Sequence, residues 1–233
     1  MEFYTLLFFG GLIGMQHALE ADHLAAVAAM TEKRSSRRAL VLRGSAWGIG
    51  HTVTLLSICG VLLVLGETIS EHTEAMLEFA VGVMIVGLGL NVLHKVWRQR
   101  PHFHVHEHER GEQHIHVHTH AEETVPHVDS EHDHPHRGLG RALAVGMMHG
   151  AAGSAGLLIL ATTADSIPEA LGYVLAFGVG SIGGMAALSF VASYPLRLLE
   201  RGATWANTVA YGAIGCAAVV VGGSLLGNSW AAL

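Results

Sequence analysis

Six long apolar stretches, separated by shorter polar segments, divide this chain: about 3–30, 39–66, 76–97, 139–163, 168–194 and 205–226. Each reaches the roughly 20 residues that a helix needs to cross bilayer hydrocarbon. None alternates with the period of two that marks a strand, and helices satisfy their own backbone groups in lipid. The pattern predicts an all-α integral membrane protein of six transmembrane helices. Orientation follows from the basic residues. All 13 Lys and Arg lie in or beside the first, third and fifth loops, while the second and fourth carry none. Cytoplasmic loops are the ones enriched in Lys and Arg, so both termini are expected outside.

Composition agrees. Of 233 residues, 51% are hydrophobic and only 14% charged, against roughly 25% charged in soluble domains. Mean hydropathy is +0.42. The 29 glycines suit close helix contact in lipid. The two cysteines, Cys59 and Cys216, both sit in apolar runs, which supports neither a disulfide framework nor a zinc ribbon. The first stretch has no basic start and no small-residue cleavage site, so it is read as a retained helix.

The two halves share a pattern. Gly14-Met15-Gln16-His17 in the first stretch matches Gly146-Met147-Met148-His149 in the fourth, and Gly44-Ser-Ala-Trp-Gly48-Ile-Gly50-His51 in the second resembles Gly178-Val-Gly180-Ser-Ile-Gly183-Gly184 in the fifth. Three spans are an odd number, so a repeated unit enters the membrane upside down. Inverted repeats with a site between them are a transporter signature. The expected organisation is a first three-helix repeat over 1–98, a cytoplasmic loop over 99–138, and a second repeat over 139–233.

Ionisable groups interrupt the apolar runs. His17, Glu20, Asp22, His23, His51 and His149 all fall inside predicted spans, where a charge costs about 2.5–3.5 kcal/mol on insertion scales. A cluster of such groups points to a cation, or several protons, that offsets the cost. At about 100° per residue, His17, Glu20 and His23 form a drifting stripe and Asp22 falls on the other side. A regular helix cannot aim His17, Asp22 and His23 at one ion. Either the helix unwinds there, or the residues hold successive positions on a path; Asp22 can also act by accepting a ring N–H and orienting it. Imidazole with carboxylate suits first-row divalent ions, nickel, cobalt or zinc. Met15, Met147 and Met148 read as packing filler. Asn91 and His94 read as interfacial, and His72, Glu67, Glu71 and Glu74 as a solvated outer loop.

The third loop adds twelve histidines: His102, His104, His106 and His108, then His114, His116, His118 and His120, then His127, then His132, His134 and His136. Such tracts bind metal. The segment is too polar to fold alone and is expected to be disordered without metal.

His17-Ala-Leu-Glu-Ala-Asp22-His23 matches the HX4DH signature of the nickel/cobalt transporter family, and Gly50-His51-Thr52 resembles its second motif. With six spans, the chain resembles the UreH-like branch of that family. The resemblance implies transport of Ni2+, or Co2+ and less readily Zn2+, across the cytoplasmic membrane, with His17, Asp22, His23 and His51 at the ion site; Glu20 and His149 are added on the arguments above. It implies no permanently bound cofactor and no nucleic-acid partner. Expected partners are the ion, the bilayer, and cytoplasmic metallochaperones or urease and hydrogenase maturation proteins. Uptake and efflux both remain open.

Other functions find less in the sequence. Gly153-Ser154 would need a general base for a serine nucleophile, and the sixth span holds no histidine. There is no HExxH and no nucleotide-binding motif. A thiol carrier would want cysteines at the repeated positions of spans one and four. A metal sensor without transport would depend on the loop rather than on buried groups.

Overall fold

The computed structural model of the protein describes residues 3–30, 36–98, 102–107, 113–118, 135–153, 164, 166–200 and 204–233. Its elements are α1 (Phe3–His17), α2 (Ala21–Met30), α3 (Arg37–Leu65), α4 (Glu71–Arg98), β1 (His102–Glu107), β2 (Gln113–His118), α5 (Pro135–Ala152), α6 (Ile167–Glu200) and α7 (Thr204–Ala232). Apart from one hairpin, the described fold is all-α. Four helices are long and apolar enough to cross a membrane: α3, α4, α6 as far as Pro195, and α7 from Trp205. Phe8, Val61, Val179, Val191, Val209 and Val220 are each more than half exposed on the outer helix faces, which is stable only against lipid or another apolar surface. This is a membrane protein.

Local signals set the helix ends. The Ser36 hydroxyl accepts from the Ala39 N–H at 3.1 Å and starts α3. Gly66, at φ 69°, ends it in the left-handed region that glycine adopts without a Cβ penalty.

The first apolar stretch departs from one continuous helix. It breaks at residues 18–20 into α1 and the short α2. The Leu19 N–H donates to the Gln16 carbonyl at 2.9 Å and the Glu20 N–H to the His17 carbonyl at 3.1 Å, three-residue turns that tighten and then stop α1. The Asp22 carboxylate accepts the His23 backbone N–H at 2.8 Å within the first turn of α2, where negative charge suits the helix dipole. Of the fourth predicted span, residues 154–163 lie outside the described residues, as do Ser154 and loop histidines His108, His120, His132 and His134; His136 falls in the first turn of α5.

In the third loop, β1 and β2 pair antiparallel. His102 stands opposite His118, His104 opposite His116, and His106 opposite His114, with Phe103–Val117 and Val105–Ile115 between. Opposite residues share a face and neighbours alternate.

The helices pack α1 on α6, α5 on α3, α3 on α6 and α4 on α7. Glycines make these approaches close, and the contacts come in matched pairs. Gly14 of α1 lies against the Phe177 backbone of α6, as Gly146 of α5 lies against the Trp47 backbone of α3. Gly50 meets Leu143, as Gly180 meets Gly11; Gly82 meets Gly222, as Gly215 meets Gly89. In each pair the two partners exchange halves of the chain. A methyl group at Gly14 collides with backbone, whereas one at Gly87 meets nothing within 4 Å. Gly14→Ala is expected to destabilise the protein by about 1–3 kcal/mol, the usual cost of overpacking, and Gly87→Ala to leave it unchanged or slightly firmer; thermal unfolding in detergent, followed by circular dichroism, checks both.

Candidate metal centre

The break between α1 and α2 places three ionisable side chains around one point. His17 ends α1, Asp22 and His23 open α2, and the turn between them lets His17 and His23 face each other with ring centres 4.4 Å apart. From α3 comes His51, its ring centre 5.2 Å from His17 and 5.5 Å from His23. From α5 comes His149, 4.1 Å from His23. His23 and His51 are fully buried and His149 nearly so. Four of the six candidate residues thus contribute rings to one buried cluster, and the two carboxylates bind those rings.

Carboxylates accept hydrogen bonds and do not donate them when ionised, so they determine which ring nitrogens carry protons. His23 Nδ1 donates to Asp22 Oδ1 at 2.9 Å, and His149 Nε2 donates to Asp22 Oδ2 at 2.8 Å. His17 Nδ1 donates to Glu20 Oε1 at 3.0 Å. In the neutral rings this leaves lone pairs on His17 Nε2, His23 Nε2 and His149 Nδ1. All three are buried without a hydrogen-bond partner, as are both nitrogens of His51. An unpaired buried polar group costs about 1–3 kcal/mol, so several together form an arrangement that a ligand would relieve.

Two groups have metal-site dimensions: His17, His23 and His51, and Asp22, His23 and His149, each with its donor atoms within 4.8 Å of one another. The three-histidine group is the stronger candidate. Each of its rings keeps at least one unpartnered nitrogen, whereas both Asp22 oxygens are already occupied by ring N–H groups. Asp22 orients His23 and His149, and Glu20, 57% exposed, orients His17. Nitrogens on one ion at about 2.1 Å lie about 3.4 Å apart, so ligation needs only a small inward rotation of the rings. A Cβ at Gly153 would sit 3.6 Å from His17 Nε2 and 3.8 Å from His51 Cε1; the glycine leaves that side of the rings open.

His17, His23 and His149, with Glu20 and Asp22, form the inner wall of a cavity of about 200 Å3, lined also by Glu78, Val81, Ala152, Gly153 and Leu225. Towards the Arg37 end of α3 the site is closed by Trp47, fully buried, with its ring centre 5.3 Å from His23 and 5.8 Å from His149.

A family model described as the cytochrome C biogenesis protein transmembrane region matches residues 7–224. The urease accessory protein UreH of Bacillus sp. (strain TB-90) is 30% identical over 205 residues, 86% of this chain and 82% of that protein. The chain belongs to the UreH-like family. No solved structure is a significant match. Within this UreH-like chain, sequence reasoning missed Glu78 and Trp47 as parts of the site. A lone carboxylate two residues inside the third apolar stretch was the available signal for Glu78; nothing distinguishes Trp47 from a packing residue until its neighbours are seen. Met15, Met147 and Met148 are all more than a third exposed. His72 and His94 are exposed.

Replacing Asp22 with Asn keeps the size of the side chain but removes the charge and one of its two acceptors. In protein lacking residues 102–136, Asp22→Asn is expected to weaken Ni2+ binding about 10–100-fold, the usual effect of losing a partner that orients a ligand. Titration calorimetry in detergent checks this, and an unchanged affinity contradicts the orienting role.

Proposed function

We propose that this protein carries divalent first-row metal ions across the cytoplasmic membrane, nickel foremost and cobalt next, inward through the His17–His23–His51 site. Three buried imidazoles with unpartnered nitrogens, two of them oriented by carboxylates, carry this reading. Borderline ions prefer such nitrogen donors, and the Irving–Williams order favours nickel over cobalt. The relative's name, urease accessory protein, fits supply of nickel to an enzyme inside the cell.

The architecture we read is six spans in two inverted repeats, 1–98 and 139–233, with both termini outside and loop 99–138 in the cytoplasm. The matched glycine contacts support it: each contact recurs with its partners displaced by 130 to 133 residues, as 14 to 146 and 47 to 177, and 82 to 215 and 89 to 222. The cavity beside the rings then opens outward, and Trp47 closes the cytoplasmic side. The histidine hairpin lies where an ion arrives after crossing. Its histidines, six of them in the two paired strands, suit reception or buffering of the same ions before transfer to a cytoplasmic metallochaperone.

A thiol relay is the reading of another class that the two cysteines raise. Against it, Cys59 is buried in α3 and Cys216 exposed in α7, with no disulfide between them, and the repeated positions of the first and fourth spans hold imidazoles.

Uptake into vesicles of known orientation tests the reading. Initial Ni2+ flux is expected to fall at least about tenfold in His17→Ala, Asp22→Asn and His23→Ala. Removing residues 102–136 is expected to alter the rate and keep the preference for nickel. Parent-like flux in all three site variants would overturn the assignment, and loss of selectivity on loop removal would favour a sensor.

A further inference from the structure

Glu78 has no part in orienting the four rings, yet it lines their cavity. It sits seven residues inside α4, a helix whose apolar length crosses the membrane, and it is only partly exposed. Its Oε2 lies 3.4 Å from the hydroxyl of Ser229 in α7, which is buried and shares its one proton with the Leu225 carbonyl at 2.7 Å. The same cavity is lined by Glu20 and Asp22, and no Lys or Arg is among its lining residues. Of the three carboxylates, Glu78 is engaged with Ser229 rather than with a ring, and Glu20 uses one oxygen, Oε1, to accept from His17 Nδ1 at 3.0 Å. The third is engaged by two imidazole N–H groups. On the inner wall, the unpartnered Nε2 of fully buried His23 marks where a cation would finish.

The dimensions fit a hydrated ion. One water needs only about 10–15 Å3 of such space, so a cavity of about 200 Å3 has room for a divalent cation with several waters. Carboxylate oxygens suit an ion that keeps much of its water, whereas imidazole nitrogens suit the same ion once water is shed. A cleft lined by one sign of charge also concentrates the opposite ion and speeds its capture.

We propose that Glu78, with Glu20, forms an outer carboxylate station that holds the hydrated divalent cation before it passes to the imidazoles of His17, His23 and His51. This rests on the transport reading above and adds a second binding step to it. The station selects by charge and the histidines select by donor type, so removing the station changes capture and leaves the preference among metals intact.

Vesicle uptake over a range of Ni2+ concentrations distinguishes these roles. Glu78→Gln keeps an acceptor for Ser229 and removes the charge; it is expected to raise the half-saturating Ni2+ concentration about tenfold, with maximal flux within about twofold of the parent, and to flatten the dependence of capture on ionic strength. Ser229→Ala keeps the charge and is expected to behave as the parent. If Glu78 served only as a structural partner of Ser229, the two variants would exchange behaviours, and the station would be refuted. Glu20→Gln, on the exposed lip, is the companion should Glu78→Gln fail to assemble; parent-like half-saturation and salt dependence in Glu20→Gln then count against the station. His51→Ala separates the two levels. Parent-like flux there removes the imidazole site itself; lost flux there with parent-like Glu78→Gln removes only the outer station.

Discussion

One carboxylate joins the two halves of this protein at the level of its buried histidines. Asp22, in the first half, takes an imidazole N–H on each oxygen, from His23 beside it and from His149 in the second half. Because the carboxylate only accepts, it settles the tautomer of both rings and leaves a lone pair on the far nitrogen of each. The rest of the site follows from that contact. His23 presents Nε2 toward His17 and His51, and Trp47 packs against both bonded rings and seals the cluster on one side. A charged group this deep costs several kcal/mol if alone; two ring N–H groups and a backbone N–H make Asp22 tolerable.

The helix break is what makes the arrangement possible. On a regular helix Asp22 and Glu20 point to opposite sides and no single ion can reach His17 and His23 together with their carboxylates. Hydropathy alone does not show the break, because Ala18 and Leu19 within it are themselves apolar and the stretch from 3 to 30 stays apolar on average. The conflict itself was legible: too many ligand types at the wrong angular spacing for a continuous helix. Sequence reasoning reached the choice between an unwound helix and a stepwise path, and the three-residue turns at residues 18–20 give the first of these. It also left open whether Asp22 binds or orients, because that depends on whether another ring lies across the bundle. His149 was within reach only through the Gly-Met-x-His correspondence between the halves.

Glycine placement supplies the mechanical counterpart. Gly14 and Gly146 allow backbones of opposite halves to touch one turn or less from His17 and His149, so the rings are carried on closely packed, stiff elements. The approximate limits of four of the six predicted spans were readable from hydropathy, since α3, α4, α6 and α7 are each a single apolar run. Glu78 was hidden because one carboxylate near a helix end looks like a boundary residue; only the cavity shared with the histidines gives it a chemical setting.

X-ray absorption of Co2+ or Ni2+ bound to protein lacking residues 102–136 measures the central feature directly. Three imidazole nitrogens at about 2.0–2.1 Å are expected, falling to two in His51→Ala. An oxygen-only shell, or a spectrum that is the same in parent, His23→Ala and His51→Ala, would contradict a site built from His17, His23 and His51.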